Sequence, residues 1–435
     1  MIPYGRQTIE EDDIQIVVDV LRSDYLTTGP KVAEFEKLVA DYVGAKYAVA
    51  ISNDTAALHA ACHAAGIGPG DEVITTPITF AASSNCVLYC GGTPVFADVD
   101  SKTYNIDPED IKRKITGKTK AIIPVHLAGQ PCDMDEIHAI AKEHHLIVIE
   151  DAAHALGSEY KGKMIGSMSD MTTFSFHPVK PITTGEGGMI VTNDETLYKK
   201  LVLFRSHGIT RDESQMTRNE GSWFYQQIDL GYNYRMSNVI AGVVRGQFPY
   251  LAEHIAQKKA IYERYKQGFK DLPVTMNPFD AKHSEPNYWL SCLLIDEDAM
   301  CKQVRGEYEA LYIRESGKSC PTEILEKLAQ YNAEGRPIWK PMHMQPIYRM
   351  NGFVTREGNG RANTNAYISG GVRGKDGKPF KTRSGGVMRL EHLISDINEV
   401  ILNKIKENRS MTDEEADNIS KIVGLAALKY GDLSN

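Results

Sequence analysis

The first half of the chain alternates short apolar runs with amphipathic stretches. Seven runs rich in β-branched residues predict buried strands, and they lie at residues 47–51, 72–75, 94–98, 121–125, 146–150, 171–176 and 188–192. Between the strands, apolar residues recur at helical spacing, as at residues 55–65, 133–144 and 195–204. Strands that alternate with helices need crossover connections. The pattern therefore predicts an α/β fold with a mostly parallel sheet, whose ligands bind at the carboxyl ends of the strands.

The same patterns predict the helices on either side of this region. Thr8 and Glu11 form a capping box that opens an amphipathic helix ending near Ser23. Further helices are predicted at residues 31–43, 239–251 and 253–272. The last of these is long enough to join two domains. We therefore predict a large domain at residues 1–250 and a small carboxy-terminal α/β domain at residues 251–435, in which residues 288–294 form a strand.

Other segments lack apolar periodicity and predict loops. Residues 210–221 are polar and predict a mobile surface loop, while residues 352–386 are rich in glycine, arginine and lysine and predict an exposed one. Prolines also make residues 335–346 a loop, although that loop is rich in side chains able to hold an anion. A second capping box, at Thr412 and Glu415, predicts a last helix.

Composition narrows the classes of function. The net charge of −8 argues against a general nucleic-acid or membrane binder, so a phosphate-bearing ligand must be met by local groups. The seven cysteines are odd in number and include no Cys-x-x-Cys pair. With no signal peptide at the start of the chain, this usage predicts reduced thiols in the cytoplasm. No apolar run approaches the length of a membrane span.

The strongest chemical signal is an acid and a lysine that follow two predicted strands. Asp151 follows the run at 146–150, and Lys180 follows the run at 171–176, with Gly185 and Gly188 close behind. An enzyme that uses pyridoxal 5′-phosphate needs such a pair. The lysine forms the Schiff base with the aldehyde, and the acid keeps the pyridine nitrogen protonated. Either residue alone has an ordinary reading, as a helix cap or a solvated lysine, but their order and spacing favour the cofactor.

Other positions leave two readings open. Thr55 begins a predicted helix, where backbone N–H groups could seat a phosphate or where it could be a plain N-cap. Phe80 could stack on a cofactor ring or belong to the core. His59 and His63 stand at the spacing of metal ligands, but no third ligand lies nearby in the sequence, so we predict no metal. The tyrosine-flanked Asn233 and Arg235 are too polar for a plain core, and a binding role is an even alternative.

Together these segments resemble the DegT/StrS-type nucleotide-sugar aminotransferases, which are fold-type I pyridoxal-phosphate enzymes. The resemblance runs from Met1 to about residue 370, and its most specific stretches lie at residues 2–7, 23–30, 52–59, 150–154, 174–180 and 231–236. It implies a seven-stranded sheet in the large domain, a small carboxy-terminal domain, and a homodimer with shared active sites. The family's Arg-Gly-Leu-Cys-Leu-Pro-Ser-like turn is not found in residues 380–410.

The resemblance also implies roles for individual residues. Lys180 matches the Schiff-base lysine, Asp151 the partner of the pyridine nitrogen, and His154 the residue beside the phenolic oxygen. The other implied contacts are Phe80 on the cofactor ring, Thr55, Ala56 and Ser175 on its phosphate, Asn233 on the phosphate in the neighbouring subunit, and Tyr4, Thr28, Arg235 and His343 on the sugar nucleotide.

Two subfamilies contribute to the resemblance. The front half is most similar to transaminases that make UDP-4-amino-4,6-dideoxy-N-acetyl-L-altrosamine, and the back half to bacillosamine-type and exopolysaccharide aminotransferases. The resemblance implies amino transfer, from glutamate, to C4 of a UDP-2-acetamido-2,6-dideoxy-4-keto hexose in surface glycan biosynthesis. The alternatives are a pyridoxal-phosphate-dependent sugar dehydratase, in which histidine replaces the lysine, and a non-catalytic regulatory relative, which would be expected to lose Lys180 or Asp151.

Overall fold

A computed structural model describes residues 3–217, 224–277, 283–305, 310–348, 350–351 and 371–373. These residues belong to one compact unit, Met1–Lys375. The predicted capping box at Thr412, the predicted last helix and most of the predicted loop at 352–386 lie outside the described residues. The predicted division at residue 250 stays a prediction.

Helices and strands alternate through the first half of the chain, as the sequence pattern predicts. The α-helices are α1 (Glu11–Leu21), α2 (Pro30–Val43), α3 (Asp54–Ala64), α4 (Ala82–Tyr89), α5 (Pro108–Lys114), α6 (Met134–His144), α7 (Glu195–Arg205), α8 (Asn238–Gln247), α9 (Leu251–Gly268) and α10 (Pro321–Gln330). The strands are β1 (Tyr47–Ile51), β2 (Glu72–Thr75), β3 (Thr93–Phe96), β4 (Thr119–Ile123), β5 (Ile147–Asp151), β6 (Glu159–Tyr160), β7 (Lys163–Met164), β8 (Met171–Ser175), β9 (Gly188–Thr192), β10 (Ile209–Thr210), β11 (Gln226–Gln227), β12 (Val274–Met276), β13 (Ser284–Glu285), β14 (Leu293–Ile295), β15 (Lys302–Arg305), β16 (Ala310–Ile313) and β17 (Gly371–Arg373).

The seven strands predicted from apolar runs form one central sheet. Its order is β1-β9-β8-β5-β4-β2-β3. Strands β8, β5, β4, β2 and β3 are parallel neighbours, whereas β9 runs antiparallel to both β1 and β8. The predicted α/β class and mostly parallel seven-stranded sheet are thus confirmed. The carboxyl ends of β5 and β8 lie side by side because these strands are parallel neighbours, which brings the segments after them together.

Each face of the sheet carries its own apolar core. Neighbouring residues of β5 belong to different cores, Val148 to one and Ile149 to the other, because successive side chains of a strand face opposite sides of the sheet. Helices α2, α5, α6 and α8 cover the Val148 face, and α3, α4 and α7 cover the Ile149 face. This three-layer arrangement decides which side of the sheet each polar residue of β5 reaches.

Several predicted details are wrong. The first helix begins at Glu11 rather than after a Thr8 cap, and its first turn is closed by the Glu10 N–H, which donates to Asp13 Oδ2 at 2.9 Å. Helix α3 is capped by Asn53, so Thr55 lies inside the helix and the reading of Thr55 as N-cap is wrong. The predicted strand at 288–294 is confined to β14, because Tyr288 has a φ of 54°, which a strand does not allow.

Three further segments differ from their predictions in extent. The helix predicted at 239–251 ends at Gln247, and the joining helix spans Leu251–Gly268 instead of 253–272. Gly371–Arg373 forms a short strand, β17, within the predicted loop at 352–386.

All seven cysteines are free thiols. Among the helices that the structure describes, none is long and apolar enough to cross a membrane.

Candidate active site

Asp151 ends β5 on the face covered by α3 and α4. Its Oδ2 accepts a hydrogen bond from Ser83 Oγ at 2.6 Å, and its Oδ1 accepts one from the Ala153 N–H at 3.1 Å. Burial raises the pKa of Asp151, while the two hydrogen bonds and Lys180 act in the opposite direction. A buried carboxylate held by donors of this kind can keep a pyridine nitrogen protonated.

Lys180 lies in the loop after β8 and reaches the same pocket. Its backbone N–H donates to the His177 carbonyl at 2.9 Å, which fixes the loop. Its Nζ sits 4.1 Å from the centre of the Trp289 ring. Burial lowers the pKa of Lys180 to about 8, although Asp54 and Asp151 oppose this shift. A lysine with a lowered pKa has a larger neutral fraction at physiological pH and is a better nucleophile and base.

The start of α3 forms the third wall of the pocket. Asn53 Oδ1 accepts the Ala56 N–H at 2.9 Å, and Thr55 lies between them in the first turn. A Cβ at Gly188 would come within 2.5 Å of the Asn53 carbonyl, so only glycine lets β9 approach this turn. Ser175, which pairs with Gly188, lies beside it at the end of β8. Three of the predicted phosphate contacts, Thr55, Ala56 and Ser175, therefore share one corner.

His154 packs against two tryptophans, whose ring centres lie 6.5 Å apart. Its ring stacks on Trp289 at 3.9 Å and on Trp339 at 5.5 Å. Burial and the nearby Lys180 lower the pKa of His154 well below its usual value, so the ring is neutral. In the described part of the chain, His154 Nδ1 is buried and has no hydrogen-bond partner. A neutral ring nitrogen of this kind is available to a ligand atom.

Glu150, the residue before Asp151, faces the opposite side of the sheet. Its Oε2 lies 2.7 Å from His126 Nε2, and its Oε1 accepts from Thr172 Oγ1 at 3.2 Å. His126 Nδ1 accepts the Cys132 N–H, so the proton of the neutral ring is on Nε2 and points at Glu150. Burial is the largest single influence and acts to raise the pKa of Glu150, but the interactions with His126 and the hydrogen bond of Ser169 together hold that pKa below its usual range.

A cavity of about 200 Å³ opens onto Lys180. Tyr4, Arg6, Lys258 and Trp289 are among its lining residues. The structure therefore brings Tyr4 to the lysine, as the resemblance implies. Arg6 and Lys258 add cations near the lysine in a chain of negative net charge.

The remaining predicted residues lie elsewhere in the described part of the chain. Phe80 is 57% exposed, Thr28 is exposed in the loop before α2, and Asn233 is exposed in a bridge with Ser206. Arg235 bridges to Ile51 at the end of β1, and His343 is buried in a short helical turn. Among the described residues, Tyr4 and Lys180 are the only predicted site residues that line this cavity; besides these five, Asp151, His154, Thr55, Ala56 and Ser175 also lie outside its lining.

The predicted metal-ligand spacing has a different explanation in the structure. His59 packs edge-on against the rings of Phe204 and Tyr232, and its Nδ1 lies 3.2 Å from the Tyr234 hydroxyl. In the described residues, no group of three His, Cys, Asp or Glu side chains is arranged to hold a metal.

Sequence reasoning missed Ser83, Asp54 and Trp289. Ser83 follows Phe80 by one turn, and Asp54 stands inside a motif that had already been selected for Thr55, so a search for polar residues near the named ones would have found both. Trp289 lies more than a hundred residues from Lys180, and no local signal places it there.

Pyridoxal 5′-phosphate fits the residues of this pocket. The lysine amine and the acid lie close enough to shift each other's pKa, as a cofactor held between them requires. The unpartnered Nδ1 of His154 and the turn at the start of α3 supply a further polar contact and an anion seat.

Comparison with known proteins agrees with this reading. The chain is 39% identical over 349 residues to GDP-perosamine synthase of Caulobacter vibrioides, covering 80% of this chain and 86% of the relative. Spr1654 of Streptococcus pneumoniae, described as a sugar aminotransferase and solved in its PMP form, matches with a TM-score of 0.72 at 30% identity, covering 81% of this chain and 89% of that one. PseC of Helicobacter pylori, an aminotransferase involved in the biosynthesis of pseudoaminic acid, matches with a TM-score of 0.72 at 28% identity, covering 83% and 91%.

Two family models match different parts of the sequence. A model described as tRNA synthetases class I (R), catalytic domain, matches residues 340–435, less than a quarter of the chain, which does not assign the chain to that class. The DegT/DnrJ/EryC1/StrS aminotransferase model matches residues 7–373 and so covers the whole sheet, Asp151 and Lys180. The chain therefore belongs to the DegT/DnrJ/EryC1/StrS aminotransferase family, and its cofactor is pyridoxal 5′-phosphate.

Proposed function

We propose that this cytoplasmic enzyme transfers an amino group from glutamate to C4 of a UDP-linked 2-acetamido-2,6-dideoxy-4-keto hexose, for a surface polysaccharide or another glycan. The observation that carries the proposal is that the Lys180 amine and the buried Asp151 carboxyl lie close enough to shift each other's pKa, in a sugar-aminotransferase fold. The family and the sugar-aminotransferase class are established by the comparisons above. The nucleotide, the sugar and the amine donor are the proposed part.

Lys180 holds the cofactor and then acts as the base of the reaction. When bound, pyridoxal phosphate supplies an electron sink for the bond broken at the α-carbon of the amino donor. With the cofactor bound, the free Lys180 amine would accept the proton from the α-carbon of the amino donor and would later supply a proton to the sugar carbon. A pKa of about 8 suits this work, because the free amine is partly neutral at physiological pH.

The other residues bind and orient the cofactor. Asp151 would hold the proton on the pyridine nitrogen, and His154 would contact the phenolic oxygen. Thr55, Ala56 and Ser175 would bind the phosphate at the start of α3. Phe80 would cover the ring. Its 57% exposure is consistent with a side chain that acquires its contact only when the ring is bound.

The sugar nucleotide would enter over Tyr4. The Arg6 and Lys258 side chains in the same cavity can meet the diphosphate, which an acidic chain cannot attract through its overall field. Burial lowers the pKa of Lys258. We further propose that Thr28, Arg235 and His343 contact the nucleotide or the sugar. Being outside the one-chain cavity, Thr28 and Arg235 would do so in the partner's site.

The sugar class follows from the two subfamilies that the sequence resembles, since both act on this keto sugar. We favour the L-altrosamine-type product, because the amino-terminal segments that carry Tyr4 and Thr28 resemble that subfamily, and the likeness to PseC supports it. The likeness to a GDP-perosamine synthase makes a GDP-linked 4-keto-6-deoxy sugar the main competitor.

Turnover of a small substrate panel tests the proposal. Each C5-epimeric UDP-4-keto sugar and a GDP-linked 4-keto-6-deoxy sugar would be incubated with glutamate, and the products identified by NMR. Exclusive turnover of the GDP sugar would contradict the assignment of UDP as the nucleotide. Preference for the D-epimer would contradict only the proposed stereochemistry of the sugar. A chain whose visible cofactor absorbance did not disappear on adding glutamate would be a non-catalytic relative. Loss of a sugar hydroxyl without amination would indicate a dehydratase.

We also propose a homodimer in which Asn233 reaches the phosphate in the neighbouring subunit. Its exposure in one chain leaves it available for that contact. An Asn233 variant without activity and Lys180→Ala, each inactive alone, should regain part of the activity when mixed, because one site of the hybrid is intact. Confirmed hybrids of folded parents that stay inactive would mean that each site is built within one chain.

A further inference from the structure

A second acid, Asp54, lies in the pocket beside Asp151. It is the first residue of α3, directly after the Asn53 cap. The residue is only 8% exposed, and its Oδ1 is buried with no hydrogen-bond partner among the residues that the structure describes. Buried polar atoms in proteins are almost always paired, so an unpaired carboxyl oxygen at this point needs an explanation.

The charged groups that face Asp54 come from two elements. Asp151 approaches from the end of β5 and Lys180 from the loop after β8, and the hydroxyl of Thr173 on β8 lies beside them. Burial, and after it the charge of Asp151, raise the pKa of Asp54 to about 8. Two acids and one lysine thus share a space of low dielectric, where two neighbouring carboxylates resist being ionised together.

The hydrogen bonds decide which acid carries the proton. Asp151 accepts from Ser83 Oγ and from the Ala153 N–H, which stabilise its ionised form. Asp54 Oδ1 accepts from no donor in the described residues, and hydrogen bonding by the Thr173 hydroxyl lowers the pKa of Asp54 by less than burial raises it. When two neighbouring acids differ in this way, their pKa values separate. The acid that accepts more hydrogen bonds has the lower pKa and ionises first. At neutral pH Asp151 is therefore the carboxylate and Asp54 the neutral acid.

We propose that Asp54 is a protonation-dependent gate on the cofactor's phosphate: its neutral acid admits the phosphate to the start of α3, and its carboxylate repels it. The inference rests on the proposed cofactor site. Asp54 directly precedes Thr55 and Ala56, whose first-turn position makes them the phosphate seat. An ionised Asp54 would occupy the positive end of the helix dipole that the phosphate needs, and it would place a like charge beside it.

Binding of pyridoxamine 5′-phosphate tests the gate without turnover. This ligand has no aldehyde, so it cannot join to Lys180, and pyridoxamine without the phosphate is the matched ligand. The ionisation of the phosphate itself is nearly complete by about pH 7. Between about pH 7 and about pH 9.5, we expect the affinity of the wild-type protein for the phosphorylated ligand to fall. The fall should be about tenfold larger than that of Asp54→Asn, which is the size of a coupling of one pKa unit. Affinity for pyridoxamine should fall equally in both proteins.

Lys180 also loses charge in this pH range, and Asp54 acts to raise its pKa. The same comparison is therefore made in a Lys180→Ala background, where the difference between the two pH dependences of affinity reports Asp54 alone. Glu109→Gln, which removes an exposed acid from the first turn of α5, should behave like the wild type. Asp54→Ser replaces Asp54→Asn if the latter does not fold.

If affinity for the phosphorylated ligand depended on pH equally in the wild type and in folded Asp54 variants, the gate would be overturned. The proposed cofactor site would not be affected by that result. Failure of every variant to bind the phosphorylated ligand better than pyridoxamine would overturn the phosphate seat, and the gate with it.

Discussion

Adjacent carboxylates on β5 show how one strand can serve two purposes. On its side of the sheet, Glu150 has a hydrogen-bond partner for each carboxylate oxygen. His126 Nε2 lies 2.7 Å from Oε2, and the Thr172 hydroxyl donates to Oε1. Asp151 faces a side that holds a lysine, a second acid and unpaired polar atoms. The pKa of Glu150 is lowered and that of Asp151 is raised, although both are buried. Burial alone therefore does not distinguish the two carboxylates, whereas the groups that face each of them do.

The largest effect should come from Lys180→Ala on the Asp151 side. Without the amine there is no covalent link to the cofactor and no base, so we expect turnover to be abolished while the cofactor still binds through its phosphate and Asp151. Turnover and cofactor absorbance would be measured together. Lys46→Ala, at an exposed lysine, is the control and should match the wild type. Near-normal turnover of pure Lys180→Ala would contradict the assignment.

Asp151→Asn should cost several orders of magnitude in rate, about a thousandfold or about 4 kcal/mol, with the fold intact. A neutral amide cannot hold the pyridine proton, so the electron sink is lost. Half-reaction kinetics with glutamate and a thermal unfolding curve would be recorded for each preparation. An effect below about tenfold would mean that Asp151 belongs with Glu150 as a structural residue.

On the other side, His126→Leu should affect stability instead of chemistry. It leaves the buried Glu150 carboxylate without its main donor, and we expect a loss of about 3–5 kcal/mol in the free energy of unfolding. Denaturant unfolding would measure it. Thr172→Val, which removes only the longer hydrogen bond to Glu150, is the control and should lose about 1 kcal/mol. Unchanged stability with lost activity would contradict the division between the two sides.

The smallest effect should come from Ser83→Ala, and it depends on pH. The Ser83 hydrogen bond acts to lower the pKa of Asp151, so removing it should raise that pKa, and the ionised form should be lost at a higher pH as the solution is acidified. We expect the acidic limb of the half-reaction profile to move up by about one unit, consistent with about 1.5–3 kcal/mol for a hydrogen bond to a charged group. Ser84→Ala, at the adjacent buried hydroxyl, is the control. An unmoved limb would mean that Asp151 does not control that limb.

The sequence also marked where the family likeness stops. The predicted resemblance ended at about residue 370, and the aminotransferase model ends at 373. Residues 380–410, in which the family's usual turn is missing, fall within the match to the second model. A missing motif was informative here because a turn of fixed sequence before a last helix is a local feature that can be read without a structure.

Much of the fold and the first half of the site could be read from the sequence. Apolar runs in the sequence predict the seven strands of the sheet, because a buried strand consists of apolar side chains. The positions of Asp151 and Lys180 follow, because each residue comes directly after one of these runs. Cap positions were missed because the candidates compete within a few residues, as Asn53 and Thr55 do. The antiparallel insertion of β9 between β1 and β8 has no local signature.

By itself, the sequence determined that a lysine and an acid follow two strands of a mostly parallel sheet. The tertiary structure alone decided which groups surround them. It set Asp54 against Asp151, separated Glu150 from both by the plane of the sheet, and placed Trp289 against Lys180 from a distant part of the chain. The physical reason is that a residue's type and its neighbours along the chain fix its local geometry. Its pKa and its partners depend on side chains brought together only when the strands and helices pack.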